Sequence, residues 1–311
     1  MPPHIRPISE ELQIKAKDYL NEVPERIEAD LEALKTWIDQ QPHLNPRTDD
    51  QFLIAFLRGC KYSLERTKAK LDRFYTLRTK YPELFNITNV DDPKLRRLIM
   101  CNINRPIVYL PKLFNGVRLG IFRLGVVPAD QYNIYEVMQV GQVMQEITLI
   151  EDDYAIINGV IVIMDMSGAT ASHLFQMTPG LAKKMTAFSE EALPMRPKAQ
   201  HFINTITGFE TVFNMFKPMM SKKQQGRLFV HSKIDSLLEQ VPLEYLPKEY
   251  GGQNGSLEES IAEWSTKFDA YREYFKENAK YGTDEKLRPG KPIDFDTIFG
   301  TEGSFRKLNV D

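Results

Sequence analysis

Cysteine is nearly absent from this chain, with 2 in 311 residues, Cys60 and Cys101. Two such distant thiols form neither a disulfide framework nor a metal-type spacing, which suits a reduced, cytosolic setting. Long apolar runs are missing too. The longest strand-like one, Val160–Met164, falls far short of the roughly 18 residues that cross a bilayer. The first residues, MPPHIRPISEELQ, lack the apolar core of an export signal, so none is expected. Histidine is sparse: His4, His43, His173, His201 and His231. None sits in an HExxH or similar spacing, so neither a metal site nor a cofactor is expected. A GxGxxG loop, a Walker loop and a GxSxG elbow are also lacking.

These gaps leave little chemistry for an enzyme. Asp165 ends an apolar run and Ser167-Gly168 follow it. That position serves either catalysis or capping of the next turn. No partner base accompanies it, and capping is the simpler reading. His173 lies beside Ser172, but no third group can be placed with them. No catalytic residue is expected.

What is present is a composition of 42% hydrophobic and 26% charged residues, that of a soluble globular protein. The net charge of −2 is unevenly spread. Pro194–Asp235 holds seven Lys/Arg against two acids, a local +5 that leaves −7 for the remainder. Such a patch can orient a protein on an anionic surface. Its cations interleave with Met and Phe rather than with base-stacking aromatics, so a nucleic-acid partner is not expected.

Within that window, Gly208–Leu228 reads GFETVFNMFKPMMSKKQQGRL. Phe209, Val212, Phe213, Phe216 and Met220 recur at helical spacing, and Lys217, Lys222, Lys223 and Arg227 follow or interleave. An oily face with a cationic end suits a surface where lipid meets protein. A stripe of this spacing is also the commonest signature of a packed core, and a basic run that of a solvated face. The dominance of Phe and Met suits a fatty ligand as well as a core. Lys223 and Arg227 are four apart, so they share a helical face and could grip one phosphate together. Gly226 between them weakens the helix.

The remaining pattern predicts an α/β protein. Glu25–Gln40 places Ile27, Leu31, Leu34, Trp37 and Ile38 on one helical face. Thr48 with Gln51 reads as a capping box, Ser63 as the cap of the next helix, and Tyr81-Pro82 as its stop. Ile107–Leu110 and Val117–Leu124 read as strands around Asn115-Gly116, a hairpin signal. Tyr135–Glu151 is helical, with Met138, Gly141, Met144, Ile147 and Leu149 mostly inward. Gly159–Met166 reads as a strand buried on both faces. Leu174–Leu193 is helical, and His201–Ile206 and Leu228–His231 are further strands. Strands alternating with helices predict a sheet with parallel members. The segment from Tyr281 to Asp311, rich in Gly, Pro and charge, reads as a surface strap whose FGTEGSFRKL stretch has enough apolar groups to dock.

Four stretches together resemble the CRAL-TRIO lipid-transfer family. They are DDQFLIAFLRGCKYSLERTKAKL (Asp49–Leu71), NGVIVIMDMSGATASHLFQMTP (Asn158–Pro179), INTITGFETVFNMFKPMMSKKQQGRLFVH (Ile203–His231) and LPKEYGG (Leu246–Gly252). They occur in family order over nearly all of residues 10–275. The nearest group is that of alpha-tocopherol transfer protein and cellular retinaldehyde-binding protein, in a branch typical of invertebrates.

The resemblance implies a helical N-terminal domain over residues 1–95, a lipid-binding domain over 96–275 and an extension over 276–311. It implies a mixed sheet flanked by helices, enclosing a hydrophobic cavity under a lid at Thr205–Arg227. Phe209, Phe213 and Phe216 would face a floor of Val160, Val162 and Met164, with Phe188, Ser189, Leu193 and Gln200 also at the ligand. Ser189 and Gln200 are polar where the tocopherol-transfer relative is apolar, which favours a cargo with a hydroxyl or carbonyl over tocopherol itself. Arg58, Arg196, Lys198, Lys223 and Arg227 match that relative's phosphoinositide-binding positions. Phe175, Val212 and Met215 match its membrane-touching ones, while Ala171 and Gly208 replace larger groups. The expected protein is a monomeric, non-enzymatic cytoplasmic carrier of a tocopherol-, retinoid- or carotenoid-class lipid, with transient membrane docking assisted by phosphoinositides. Its rivals are a phosphoinositide-binding phospholipid exchanger or lipid sensor, and an enzyme acting on a lipid through Asp165.

Overall fold

The computed structural model describes residues 3–100, 105–291 and 293. Cys101 and the FGTEGSFRKL stretch lie outside them. The chain opens with α1 (Glu10–Leu20), α2 (Ile27–Asp39), the short strand β1 (Leu44–Asn45), α3 (Asp50–Gly59), α4 (Leu64–Lys80), α5 (Pro82–Phe85) and α6 (Pro93–Ile99). The predicted stripe of α2 is buried at Ile27, Leu31, Leu34 and Ile38. Trp37 at its edge is half-buried. The Thr48–Gln51 capping box does not form. The α3 cap is Asp49, whose side chain makes no capping hydrogen bond, and Gln51 Oε1 instead accepts from the Arg6 backbone N–H at 2.8 Å. Ser63 does stand at the start of α4, again without a side-chain cap, and α4 ends before Tyr81-Pro82 as expected.

The sheet and its crossovers follow. In order they are β2 (Ile107–Tyr109), β3 (Arg118–Arg123), α7 (Ile134–Glu151), α8 (Asp153–Asn158), β4 (Val160–Asp165), α9 (Ala171–Gln176), α10 (Pro179–Ala187), β5 (Pro197–Ile203), α11 (Phe209–Phe216), α12 (Lys222–Gln225) and β6 (Leu228–Val230). The chain closes with α13 (Ile234–Leu238), α14 (Leu257–Ala270), α15 (Arg272–Glu277) and β7 (Gly282–Thr283). The strand order is β2-β3-β4-β5-β6. Only β2 runs antiparallel, to β3; the other pairs are parallel. Asn115 and Gly116 turn the β2–β3 hairpin with φ of 51° and 78°, the left-handed pair that a two-residue hairpin turn requires. Parallel neighbours need crossovers, and helices supply each one.

Two predicted boundaries shift. The helix expected over 174–193 breaks at Met177-Thr178, where Thr178 caps α10 through Leu181 N–H and Pro179 takes the first helical position. The same run ends in a π turn, Phe188–Ala192. Strand β5 begins at Pro197, before the expected His201. Opposite it the register slips at Val160/Ile161, so Lys198 is the unpaired residue of a bulge. Gly159, at φ 93°, makes room there: a Cβ would lie 2.4 Å from Arg196 O.

The sheet separates two apolar layers. Ile161 and Ile163 of β4 join Leu119, Ile121, Leu237, Val241, Leu246, Leu257 and Ile261 on one face. Val160 lies in the other layer, a cluster that reaches from Leu31 and Phe52 of the N-terminal helices to Phe202 and Phe209. The described part of the C-terminal segment straps back: β7 pairs with β1, and Arg288 holds Asp72 at 2.6 Å.

On the sheet's first face, His201 Nδ1 lies 2.9 Å from His231 Nε2, and the His201 ring stacks on Phe229. Burial, and then His231, push the His201 pKa down to about 4. His231 is lowered by burial against the pull of Glu239. An unfolded histidine titrates near 6.5, so the unfolded chain binds more protons below that value. The contribution is complete above pH ~6.5 and is lost as pH falls toward 4, by up to about 1.4 kcal/mol per unit for one site. Urea unfolding from pH 7 to 4.5 should show this loss, and it should be smaller in His201→Phe. Parallel curves for the two proteins would rule the pair out as its source.

Candidate functional site

A cavity of about 400 Å³ lies against the second face of the sheet, within the range of small-molecule sites. Alternation along β4 puts Val160, Val162 and Met164 in its floor. Ser189 joins from the π turn, Leu193 from just after it, and Gln200 from β5. The β5–β6 crossover closes it. Phe209, Val212, Phe213 and Phe216 of α11 all line the interior. Phe202 from β5 meets Phe209 and Phe213, each at 5.3 Å between ring centroids, and Phe209 stacks on Phe213 at 5.5 Å. Where α12 begins, Ser221 N–H donates to Glu190 Oε1 at 3.0 Å. That bond ties the crossover to the π turn.

Phe188 was expected at the ligand and is elsewhere. It is buried against the N-terminal helices, stacked on Phe85 at 4.2 Å and close to Phe74. Of the three outward positions expected, Phe175 is 80% exposed and Met215 44%. Val212 faces the cavity instead, because α11 turns its 209–212–213–216 stripe inward.

Beyond the crossover, Arg196, Lys198, Lys223 and Arg227 gather as the basic positions predict, and Lys61 joins them. Lys198 is held below the usual lysine range by desolvation and then by Arg196, Arg227, Lys61 and Lys223 in turn. Arg196 is lowered by burial and by Arg227. None of these five has a carboxylate partner among the described residues. Their few bonds go to carbonyls: Arg196 donates to Ile156 O at 2.8 Å and to Ile157 O, and Arg227 to Pro197 O. The bulge at Lys198 and the glycine at 159 build this corner. Lys61, at φ 55° just after α3, escaped the sequence reading. It sits within the Asp49–Leu71 stretch, but nothing local ties it to the other cations, and three separated chain segments must meet before it counts.

Arg58 does not belong to this cluster's free charge. It is 2% exposed. Its guanidinium forks onto Glu22 at 2.8 and 3.1 Å and reaches Asp153 at 2.9 Å. Two acids already neutralise it, so the expected headgroup role gives way to a structural one.

Asp165 is likewise engaged. It accepts from Ser167 N–H and Asn204 Nδ2, each at 2.9 Å, and from the Tyr250 hydroxyl at 2.5 Å. Burial raises its pKa, but the bonds from Asn204, Tyr250 and Ser167 hold it below the ordinary carboxylate value. This is the capping reading. His173 spends its nitrogens on Thr170 and on Val127 O, not on Ser172. No helix of the described residues is long and apolar enough to cross a membrane.

The CRAL/TRIO domain matches residues 114–252, and the Pinta-like UBA domain matches residues 23–95. The human alpha-tocopherol transfer protein-like protein is 30% identical over 267 residues, 85% of this chain and 76% of that one. The chain belongs to the CRAL/TRIO lipid-binding family. Its mouse counterpart is 29% identical over 280 residues, covering 88% and 78% of the two chains. Rat clavesin-1 is 26% identical over 240 residues, covering 76% and 67%. The solved structure of Sfh5 covers 82% of this CRAL/TRIO chain and 92% of its own, at 12% identity and a TM-score of 0.47.

Proposed function

We propose that this chain is an intracellular carrier of a hydrophobic, isoprenoid-like lipid and that it docks on phosphoinositide-bearing membranes to exchange its cargo. One observation carries the reading. An apolar cavity is closed by the α11–α12 crossover, and that same crossover contributes Lys223 and Arg227 to a cluster of cations without carboxylate partners. Membrane docking and cavity closure thus share one segment. The exposed Phe175 and Met215 supply apolar contact beside it. The name of the human relative, which speaks of tocopherol transfer, points in the same direction.

Magnitudes fit a reversible encounter. Burying about 400 Å² of lipid surface at about 25 cal/mol/Å² stabilises the loaded protein by roughly 10 kcal/mol, so the cargo does not escape through water. Each cation near an anionic leaflet contributes about 1 kcal/mol, enough for brief residence. A phosphorylated headgroup opens the lid only by binding the open form better than the closed one.

The test is transfer of a loaded lipid between vesicles with and without phosphatidylinositol bisphosphate. Wild-type transfer should accelerate with the phosphoinositide. Lys223→Ala/Arg227→Ala should lose that acceleration, by about tenfold or more, while binding cargo normally in solution. Equal transfer by both proteins on phosphoinositide vesicles would defeat the docking mechanism.

A further inference from the structure

The crossover that closes the cavity hangs between β5 and β6, and two histidines join those strands. The strand order ends at β6, which is 3 residues long. Gln200 N–H donates to Arg227 O at 2.8 Å, and His231 N–H to Phe202 O at 2.9 Å. An edge strand this short opens readily unless side chains hold it. On the face away from the cavity, His201 Nδ1 of β5 lies 2.9 Å from Nε2 of His231, the residue after β6. The two rings are 1% and 5% exposed.

The partners fix where the protons sit. Ser236 Oγ donates to Lys233 O, so it accepts from His231 Nδ1 at 2.9 Å. His231 Nε2 is then an acceptor, and His201 Nδ1 donates to it. This chain of bonds ties β5 to α13 through His231. It is whole only while His231 Nε2 carries no proton. The surroundings offer an added charge little. β4 sets Ile163 opposite His201, and Phe229 stacks on its ring at 5.1 Å. Just past α13, Glu239 pulls the His231 pKa up, though burial outweighs it. Lys233 and Asp235 are exposed. Among the described residues, no carboxylate acts on His201.

Resting on the carrier reading, we infer that the His201–His231 pair is a proton-operated clamp on the lid. At neutral pH it holds β6 to β5. Protonation releases β6, frees the C-terminal end of the α11–α12 crossover and speeds cargo exchange.

Linkage gives the sign. A histidine released to water titrates near 6.5, whereas His201 in the closed form is held at about 4. The released form therefore binds more protons. The clamp is complete above pH ~6.5 and weakens as pH falls toward 4. From pH ~7.5 to ~5.5, His201 alone favours release by about tenfold. An anionic leaflet supplies part of this acid. A surface potential of about −50 mV lowers the local pH by about 0.8, which from neutral bulk gives about twofold. Docking through the basic corner and loosening of the lid then act in the same direction.

Hydrogen exchange of the full-length protein, read by mass spectrometry, tests the clamp without any cargo. Exchange over residues 227–231, corrected for its intrinsic pH dependence, should rise about tenfold from pH ~7.5 to ~5.5. His201→Phe, which keeps a ring against Phe229, should limit the rise to about threefold or less. His201→Phe/His231→Gln should abolish it. Exchange in β4 should stay level throughout, which separates local release from global unfolding. Release of bound retinol into excess cyclodextrin, without membranes, is the second readout. It should accelerate by about the same factor in wild type and lose its pH dependence in the double variant. Flat exchange over 227–231 in wild type overturns the clamp and leaves the carrier reading standing. Exchange that rises without faster retinol release overturns the link between β6 and the lid. Wild type that loads no retinol at neutral pH counts against the carrier reading, while the exchange result still decides the clamp.

Discussion

Arg58→Ala is expected to cost the fold about 3–5 kcal/mol, the range for removing one partner of a buried ion pair. Glu22 and Arg58 are both nearly inaccessible. Without the guanidinium, Glu22 keeps, among the described residues, only the side-chain bond from the Tyr62 hydroxyl at 2.8 Å. Asp153 keeps Arg6, whose Nε donates at 2.8 Å. The network joins α3 to the α1–α2 connection and to α8, so it binds the N-terminal helices to the sheet layer. Against a typical total of 5–15 kcal/mol, the loss should appear as a fall in Tm of about ten degrees. Thermal unfolding by circular dichroism checks it. Glu22→Leu added to Arg58→Met should recover part of the loss, since apolar replacement of a whole buried pair is often tolerated. Vesicle binding, measured well below the lowered Tm, should stay near wild type. A variant of unchanged Tm that no longer binds phosphoinositide vesicles would return Arg58 to the headgroup site.

Arg58 also shows where the sequence stops being legible. That it is basic can be read directly; that it is already neutralised cannot. Glu22 and Asp153 are 36 and 95 residues away in the chain, and only the packed fold brings them near. Phe188 fails in the same manner. Its apolar character is plain, but whether it faces Phe85 or the cavity depends on the π turn that rotates the end of its helix. Local signals fared better. Asn115-Gly116 turned the hairpin, β4 was visible as a β-branched run, and Tyr81-Pro82 stopped α4. The start of β5 was hidden because Pro197 and Lys198 belong to a bulge, and bulge residues look like loop. Gln142 and Gln145 also line the cavity, and the sequence hides them for a related reason. The visible stripe of α7 was its Met and Ile positions, yet the helix is buried nearly all round, so its polar residues had to meet something too. A glutamine pair three apart in a helix this apolar was the available signal.

Removing the Phe213 ring should speed loss of cargo about 30-fold while leaving Tm nearly unchanged. Phe213 packs against Phe202 and Phe209 and lies under Lys217, whose Nζ is 5.6 Å from the ring centroid. The contact with Phe202 connects α11 to β5, so on the proposed lid motion it exists only in the closed state. Truncating a half-buried phenylalanine costs about 2 kcal/mol, less than the 3–5 of a fully buried one. Because α11 is a local helix in a crossover, that cost falls on the closed state and not on the global fold. At 1.4 kcal/mol per factor of ten, the open population and the release rate rise roughly 30-fold. Stopped-flow release into an excess of soluble lipid acceptor, without membranes, isolates this step. Phe175→Ala is the contrasting variant. Its ring is exposed and touches no part of the closure, so release in solution should match wild type and only vesicle docking should slow. If Phe213→Ala released cargo no faster than Phe175→Ala in that assay, α11 would be a fixed wall, and the exit would have to be sought elsewhere around the cavity.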